Sequence, residues 1–112
     1  MIYLNNAFSL NMLKDLGVGG KYLIEVENIS KDQVKELLEN NEFESVIGHE
    51  GTAIFLSRLL DLEVKYNRKP IILNEFDILI VLQLKTRLPE GKELTDDDLK
   101  NIDFCFYKVV IK

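Results

Sequence analysis

Hydrophobic positions along this chain recur with two periods, and the places where one gives way to the other mark its elements. Residues 1–5 (MIYLN) are a short apolar stretch that runs into a polar loop, NAFSLN, and predict a first strand. Residues 20–27 (GKYLIEVE) alternate, with Tyr22, Ile24 and Val26 on one face and Lys21, Glu25 and Glu27 on the other, which predicts a half-buried strand. Ser30 and Gln33 then stand at capping-box spacing, and Val34, Leu37 and Leu38 follow at helical spacing, so a helix is expected over about 30–40. In HEGTAIFLSRLL, Ala53, Leu56 and Leu60 share one stripe with Phe55 and Leu59 beside it, which predicts a second helix beginning near His49 or Glu50. Pro70 to Leu73 reads as a strand with Asn74-Glu75 as its turn, and 77–85 (DILIVLQLK) as a central strand covered on both faces. RLPEGKEL is a loop punctuated by Pro89 and Gly91. Thr95 with Asp98 caps a short third helix, and DFCFYKVVIK closes the chain as a strand. The expectation is a mixed α/β fold of roughly five strands flanked by about three helices, in one domain over 1–112.

Composition narrows the class. A chain of 112 residues with 46% hydrophobic and 29% charged side chains forms one globular core rather than a disordered tail. No apolar run approaches the roughly 18 residues of a membrane span, and MIYLNNAFSLNML lacks the basic start and cleavage site of a signal peptide. Work inside a cell, in the cytoplasm, is therefore expected. The net charge of −5 disfavours a broad grip on duplex DNA but leaves room for a small anion held by a few groups. Arginine, the side chain suited to forked phosphate contacts, occurs only at 58, 68 and 87.

Four stretches can carry chemistry. The only histidine, His49, lies in IGHEGTA at a helix start. It is either a helix cap or a proton donor beside an anion drawn to the helix end. Gly48 before it lets backbone approach a ligand closely. In QLKTRLPEGKELT, Gln83, Lys85 and Arg87 alternate by two, forming either a polar ligand wall or a strand end emerging into solvent. Asn6, Ser9 and Asn11 supply short polar groups that either read a nucleotide or bond their own backbone. Arg68 precedes Pro70 and is either a ligand contact or a surface cation. GVGG at 17–20 lacks phosphate-loop spacing, and there is no HExxH. The acids at 96–98 suit a helix start rather than magnesium, and Cys105, alternating with Tyr107 and Val109, is expected to be a core thiol.

In this order and at these spacings, LNNAFSLNML, IGHEGTA, Asn67-Arg68 and QLKTRLPEGKELT resemble the viral ring nucleases, a type III anti-CRISPR family found in archaeal viruses, phages and some prokaryotic genomes. The matching segments run from residue 1 to about 95, and the combination of GH-x-x-T with R-L-x-E-G-K-x-L is the specific signature. The resemblance implies a homodimer with a ligand pocket across its two-fold axis. It implies cyclic tetra-adenylate as substrate, cut without metal or cofactor into linear di-adenylates with 2′,3′-cyclic phosphate ends. Destroying that second messenger switches off type III CRISPR signalling in the infected cell. By the same match, His49 is the general acid and Glu90 a supporting acidic residue, while Asn6, Ser9, Asn11, Arg68, Gln83 and Arg87 hold the ring. Gly51 departs from the small side chain expected there, so any hydroxyl contact falls to Thr52.

The chemistry is coherent with these residues, because RNA carries its own nucleophile and the enzyme need only align it and protonate the leaving oxygen. Two rival readings use the same chain. One is a non-catalytic protein that sequesters the cyclic oligoadenylate, which has no need of His49. The other is a structural module with no affinity for nucleotides.

Overall fold

The computed structural model describes residues 1–88 and 94–112; Glu90 and the rest of the Pro89–Gly91 turn lie outside the described residues. Five strands and three helices follow in the order β1 (Ile2–Asn5), β2 (Ile24–Ile29), α1 (Lys31–Glu39), β3 (Phe43–Ser45), α2 (Glu50–Leu60), β4 (Ile78–Leu84), α3 (Asp96–Asn101) and β5 (Phe104–Ile111). They form one mixed sheet in the order β2-β5-β4-β1-β3. β1 runs parallel to both its neighbours, while β5 is antiparallel to β4 and β2. The carboxyl ends of β1, β3 and β4 therefore open at one end of the sheet.

The helices form where the caps direct. Ser30 accepts from the Gln33 amide and Gln33 answers to the Ser30 amide, and Thr95 and Asp98 do the same for α3. α1 and α2 both lie on one face of the sheet, where Val34, Leu38, Phe55, Leu56 and Leu60 pack on Leu4, Ile80, Leu82 and Phe106. Phe55 is fully buried and meets Phe104 edge-on, ring centres 5.8 Å apart. The opposite face is covered by irregular chain: Phe8 and Met12 from the loop after β1, and Ile71 and Leu73 from the segment before β4, pack on Val46, Leu79, Val81 and Val109.

Strand number matches the expectation, but its membership changes. Residues 70–73 are extended, with Ile71 and Leu73 buried and Ile72 exposed, yet they join no ladder. Their backbone partner is the loop, through Leu73 N–H donating to Met12 O at 2.8 Å. The turn that follows centres on Glu75-Phe76 and is held by Asp77, whose carboxylate accepts from the Asn74 amide and from the Met1 ammonium. The fifth strand is instead β3, three residues within NNEFESVIG. β2 starts at Ile24, four residues later than the alternation indicates.

Truncating Phe55 to alanine is expected to cost about 3–5 kcal/mol, as for a large aromatic in a closed core. Val26→Thr, on the exposed part of the sheet, should stay within about 0.5 kcal/mol. Urea denaturation of the two variants checks the contrast.

Candidate active site

α2 sets the geometry of the site. The chain leaves β3 through Val46 and Ile47, passes Gly48 and His49 at the open end of the parallel strands, and runs back along the sheet as α2. Asp61 in the left-handed conformation (φ 53, ψ 44) ends the helix and reverses the chain. Ser57 secures the reversal, its hydroxyl lying 3.1 Å from Val64 O and accepting from Val64 N–H at 3.0 Å. Residues 64–67 then climb beside β3. Tyr66 pairs in parallel with Ile47, and Asn67 N–H donates to Ile47 O at 3.0 Å. The buried Ser45 hydroxyl donates to Lys65 O at 2.6 Å, while the Asn67 amide group donates to Ser45 O at 2.8 Å.

The climb ends with Arg68 against Gly48. A methyl group in place of the glycine hydrogen would lie 3.3 Å from Arg68 Cγ and 3.6 Å from Cδ. The arginine stem thus packs closely on Gly48, and a side chain at 48 would require that stem to give by a few tenths of an ångström. His49, the next residue, is the N-cap of α2 in an extended conformation (φ −131, ψ 125), and its side chain makes no cap hydrogen bond. The exposed imidazole is not used to close the helix, so the amides of the first turn keep their donors for another partner. Gly51 has no neighbouring atom within 4 Å of where a side chain would begin, so this helix end is open. Thr52 is turned inward and buried, and what it offers at the open end is its backbone amide.

Of the other expected ligand residues, Asn6 and Gln83 lie toward this end of the sheet, whereas Ser9 and Asn11 sit in the loop that crosses the face opposite the helices and joins the segment before β4 through Met12. Asn6 follows β1, with its amide donating to Asn5 Oδ1 at 2.8 Å. Ser9 caps the turn Leu10–Met12 by accepting from the Asn11 amide at 3.2 Å, so its hydroxyl serves its own backbone, while the Asn11 side chain is exposed. Gln83 projects from β4 on the face opposite the helices. The polar row does not continue to Arg87 as strand alternation would have it. β4 stops at Leu84, and Lys85-Thr86 bend away, held by Lys85 N–H to Asp103 O and Asp103 N–H to Thr86 Oγ1, both 2.8 Å. Arg87 leaves that bend exposed. Glu90 lies outside the described residues.

Cys105 is not in the core. It is half-buried on the open face of the sheet, where its thiol lies 3.5 Å from Gln83 Oε1. Tyr107, two residues on, shares this face and stands opposite Asn28 on β2; the sequence placed Tyr107 only as a strand neighbour of Cys105 and left Asn28 beyond the predicted strand 20–27. The acids at 96–98 do what the spacing predicts: Asp98 completes the cap and Asp96 pairs with Arg58 at 3.0 Å. Among the described residues no group of three or more His, Cys, Asp or Glu is placed to hold a metal ion, and no helix is long and apolar enough to cross a membrane. A groove of about 530 Å³ flanks the stitched edge of β3; Glu44, Glu63 and Lys65 are among its lining residues, which do not include His49 or Arg68.

The pattern of the STIV B116-like family matches residues 2–106. This chain belongs to that family. Protein 26 of Sulfolobus islandicus filamentous virus (isolate Iceland/Hveragerdi) is 39% identical over 105 residues, covering 93% of this chain and 86% of the relative. YddF of Bacillus subtilis (strain 168) is 34% identical, covering 85% and 90%. Among solved structures, B116 of Sulfolobus turreted icosahedral virus superposes with a TM-score of 0.80 at 28% identity, over 97% of each chain. The B116-like fold thus accounts for the whole sheet, and this chain has relatives in archaeal viruses and in a bacterium.

Asn67→Ala removes the side-chain donor to Ser45 O and is expected to cost about 1–3 kcal/mol, the penalty of an orphaned interior acceptor. The same variant should free Arg68 from Gly48, visible as loss of ordered Arg68 side-chain signals by nuclear magnetic resonance. An unchanged melting midpoint would show that the stitching does not hold this edge.

Proposed function

We propose that this protein is a metal-independent ring nuclease that opens cyclic tetra-adenylate, made in the prokaryotic cytoplasm by type III CRISPR complexes, and so switches off their signalling. The observation that carries the reading is the packing of the Arg68 stem on Gly48, the residue before His49, which brings an exposed arginine to the stretch that opens α2. A cation, a helix N-terminus and a side chain able to give a proton are what an RNA phosphodiester needs. Family membership supports the reading because the residues that resemble ring nuclease motifs fall inside the matched span or at this site.

In this mechanism the ring lies across the open ends of the parallel strands. Arg68 and Arg87 bind phosphoryl oxygens, and Asn6, Asn11 and Gln83 hold the flanking nucleotide. The substrate 2′-hydroxyl attacks its own phosphorus, releasing its proton to solvent. The phosphorus–5′-oxygen bond breaks, and protonated His49 gives its proton to the departing oxygen. The product carries a 2′,3′-cyclic phosphate, and no water is consumed. Two copies related by a two-fold axis present this machinery twice to a ring of four equivalent nucleotides, which yields two di-adenylates. Alignment supplies the larger share of the acceleration, and the proton about 10²–10⁴-fold.

Incubation of labelled cyclic tetra-adenylate with the protein in excess EDTA is expected to yield linear di-adenylate. His49→Ala should slow the reaction by about 10²–10⁴-fold while retaining affinity, and Glu90→Gln should slow it less. Intact ring retained by the wild-type protein would make it a sequestering protein, and absence of binding would exclude both nucleotide readings.

A further inference from the structure

The face of the sheet opposite the helices is divided. Toward the amino ends of β1 and β4, the residues in register across the strands are apolar: Val26, Val109, Leu79 and Tyr3. Toward their carboxyl ends, where His49 lies, polar side chains replace them. Asn28 on β2 stands opposite Tyr107 on β5, and Cys105 stands opposite Gln83 on β4. The loop after β1 covers the Val81 and Leu79 side of this face, leaving Asn28 exposed and Tyr107 and Cys105 half-exposed.

One contact on this face fixes a side chain. The Cys105 thiol donates to Gln83 Oε1 at 3.5 Å. The Tyr107 phenol is raised above its ordinary value, first through its interaction with the Cys105 thiol and then by the charge that sulfur carries once ionised; Lys85 and Asn28 oppose the rise. With the Gln83 carbonyl engaged by the thiol, its amide hydrogens are left for another partner.

We propose that Asn28, Tyr107 and Cys105 extend the ligand wall from Gln83 across β5 to β2, with the Tyr107 ring seating one purine base and the Cys105 thiol fixing Gln83 as a donor to it. Only the identity of the ligand as an adenylate rests on the proposed function. Tyr107 and Asn28 contact the base; Cys105 is a positioning residue. An aromatic ring bordered by amides suits a nucleobase, since stacking is tolerant of sequence and the amides bond its edge. It also gives the chain a base-reading surface outside the motifs around His49 and Arg87.

Two measurements test this. The sole cysteine reports on the wall directly: modification of Cys105 by an aromatic disulfide reagent should slow several-fold in millimolar adenosine 5′-monophosphate and not in ribose 5-phosphate. In a His49→Ala background, Tyr107→Leu should weaken binding of cyclic tetra-adenylate about tenfold or more. Tyr107→Phe, which keeps the ring, should lose less, and Cys105→Ala, which frees the Gln83 carbonyl, should lose less than Tyr107→Leu. Thermal melts establish that each variant folds.

Protection by adenosine 5′-monophosphate without binding or cleavage of the cyclic ring would sustain the wall and sink the ring nuclease. Cleavage with wild-type affinity in Tyr107→Leu and no protection would sink the wall alone. No protection and no ring binding would sink both. Cys105 reactivity that falls with protein concentration and not with adenylate would assign this face to a second copy and overturn the proposal.

Discussion

The outer edge of β3 is closed by side chains rather than by another strand, and the placement of the site depends on that closure. Ser45 and Asn67 exchange hydrogen bonds with each other's backbone neighbourhood while Ile47 and Tyr66 make a single parallel bridge. A three-residue strand has too few ladder bonds to fix its surroundings, so the interior hydroxyl and amide do so. Both are polar groups whose cost is cancelled only when every partner is present. Because the pairing is in parallel register, it also sets how far the returning chain climbs. One residue more or less would carry the stem of Arg68 off the backbone of Gly48.

The topology does the remaining gathering. β1 lies between two parallel neighbours, and open sheets bind ligands beyond the carboxyl ends of such strands. Here those ends deliver Asn6, the Gly48-His49 pair and the bend before Arg87 from sequence positions far apart. Neighbouring strands are spaced about 4.8 Å apart, so the arrangement spreads its polar groups over several strand widths. The chain is acidic overall, −5, and some of its acids serve caps and surface pairs, such as Asp98 at α3 and Asp96 with Arg58.

Much of this was legible in the sequence. Capping boxes at Ser30 and Thr95, the helical stripe after His49 and the apolar run of β4 depend on neighbours within a few residues, and each formed as its pattern indicates. β3 was not legible because three residues carry no period. The segment 70–73 was misread because alternation reports burial, and Ile71 and Leu73 are buried without a strand beside them. At the site, the packing of Arg68 on Gly48 depends on a pairing between distant segments, and the motif resemblance singled out His49 and Arg68 without giving that packing. Cys105 looked like core because its strand neighbours are apolar, whereas its cross-strand partner is Gln83. Asn28 and Tyr107 needed the register of two strands to be seen as one feature.

Two glycines in the same short stretch are under different constraints. At Gly48 the Arg68 stem packs close by, whereas at Gly51 the space is empty. A glycine inside a helix forgoes up to about 1 kcal/mol of propensity relative to alanine, and no contact at 51 accounts for it. Its effect is on the first turn of α2, where no side chain at 51 screens the backbone. In the proposed reaction those amides would meet a phosphate passing from its ester geometry to the crowded five-coordinate one. A bulkier side chain there would leave room for one of those two shapes at the expense of the other.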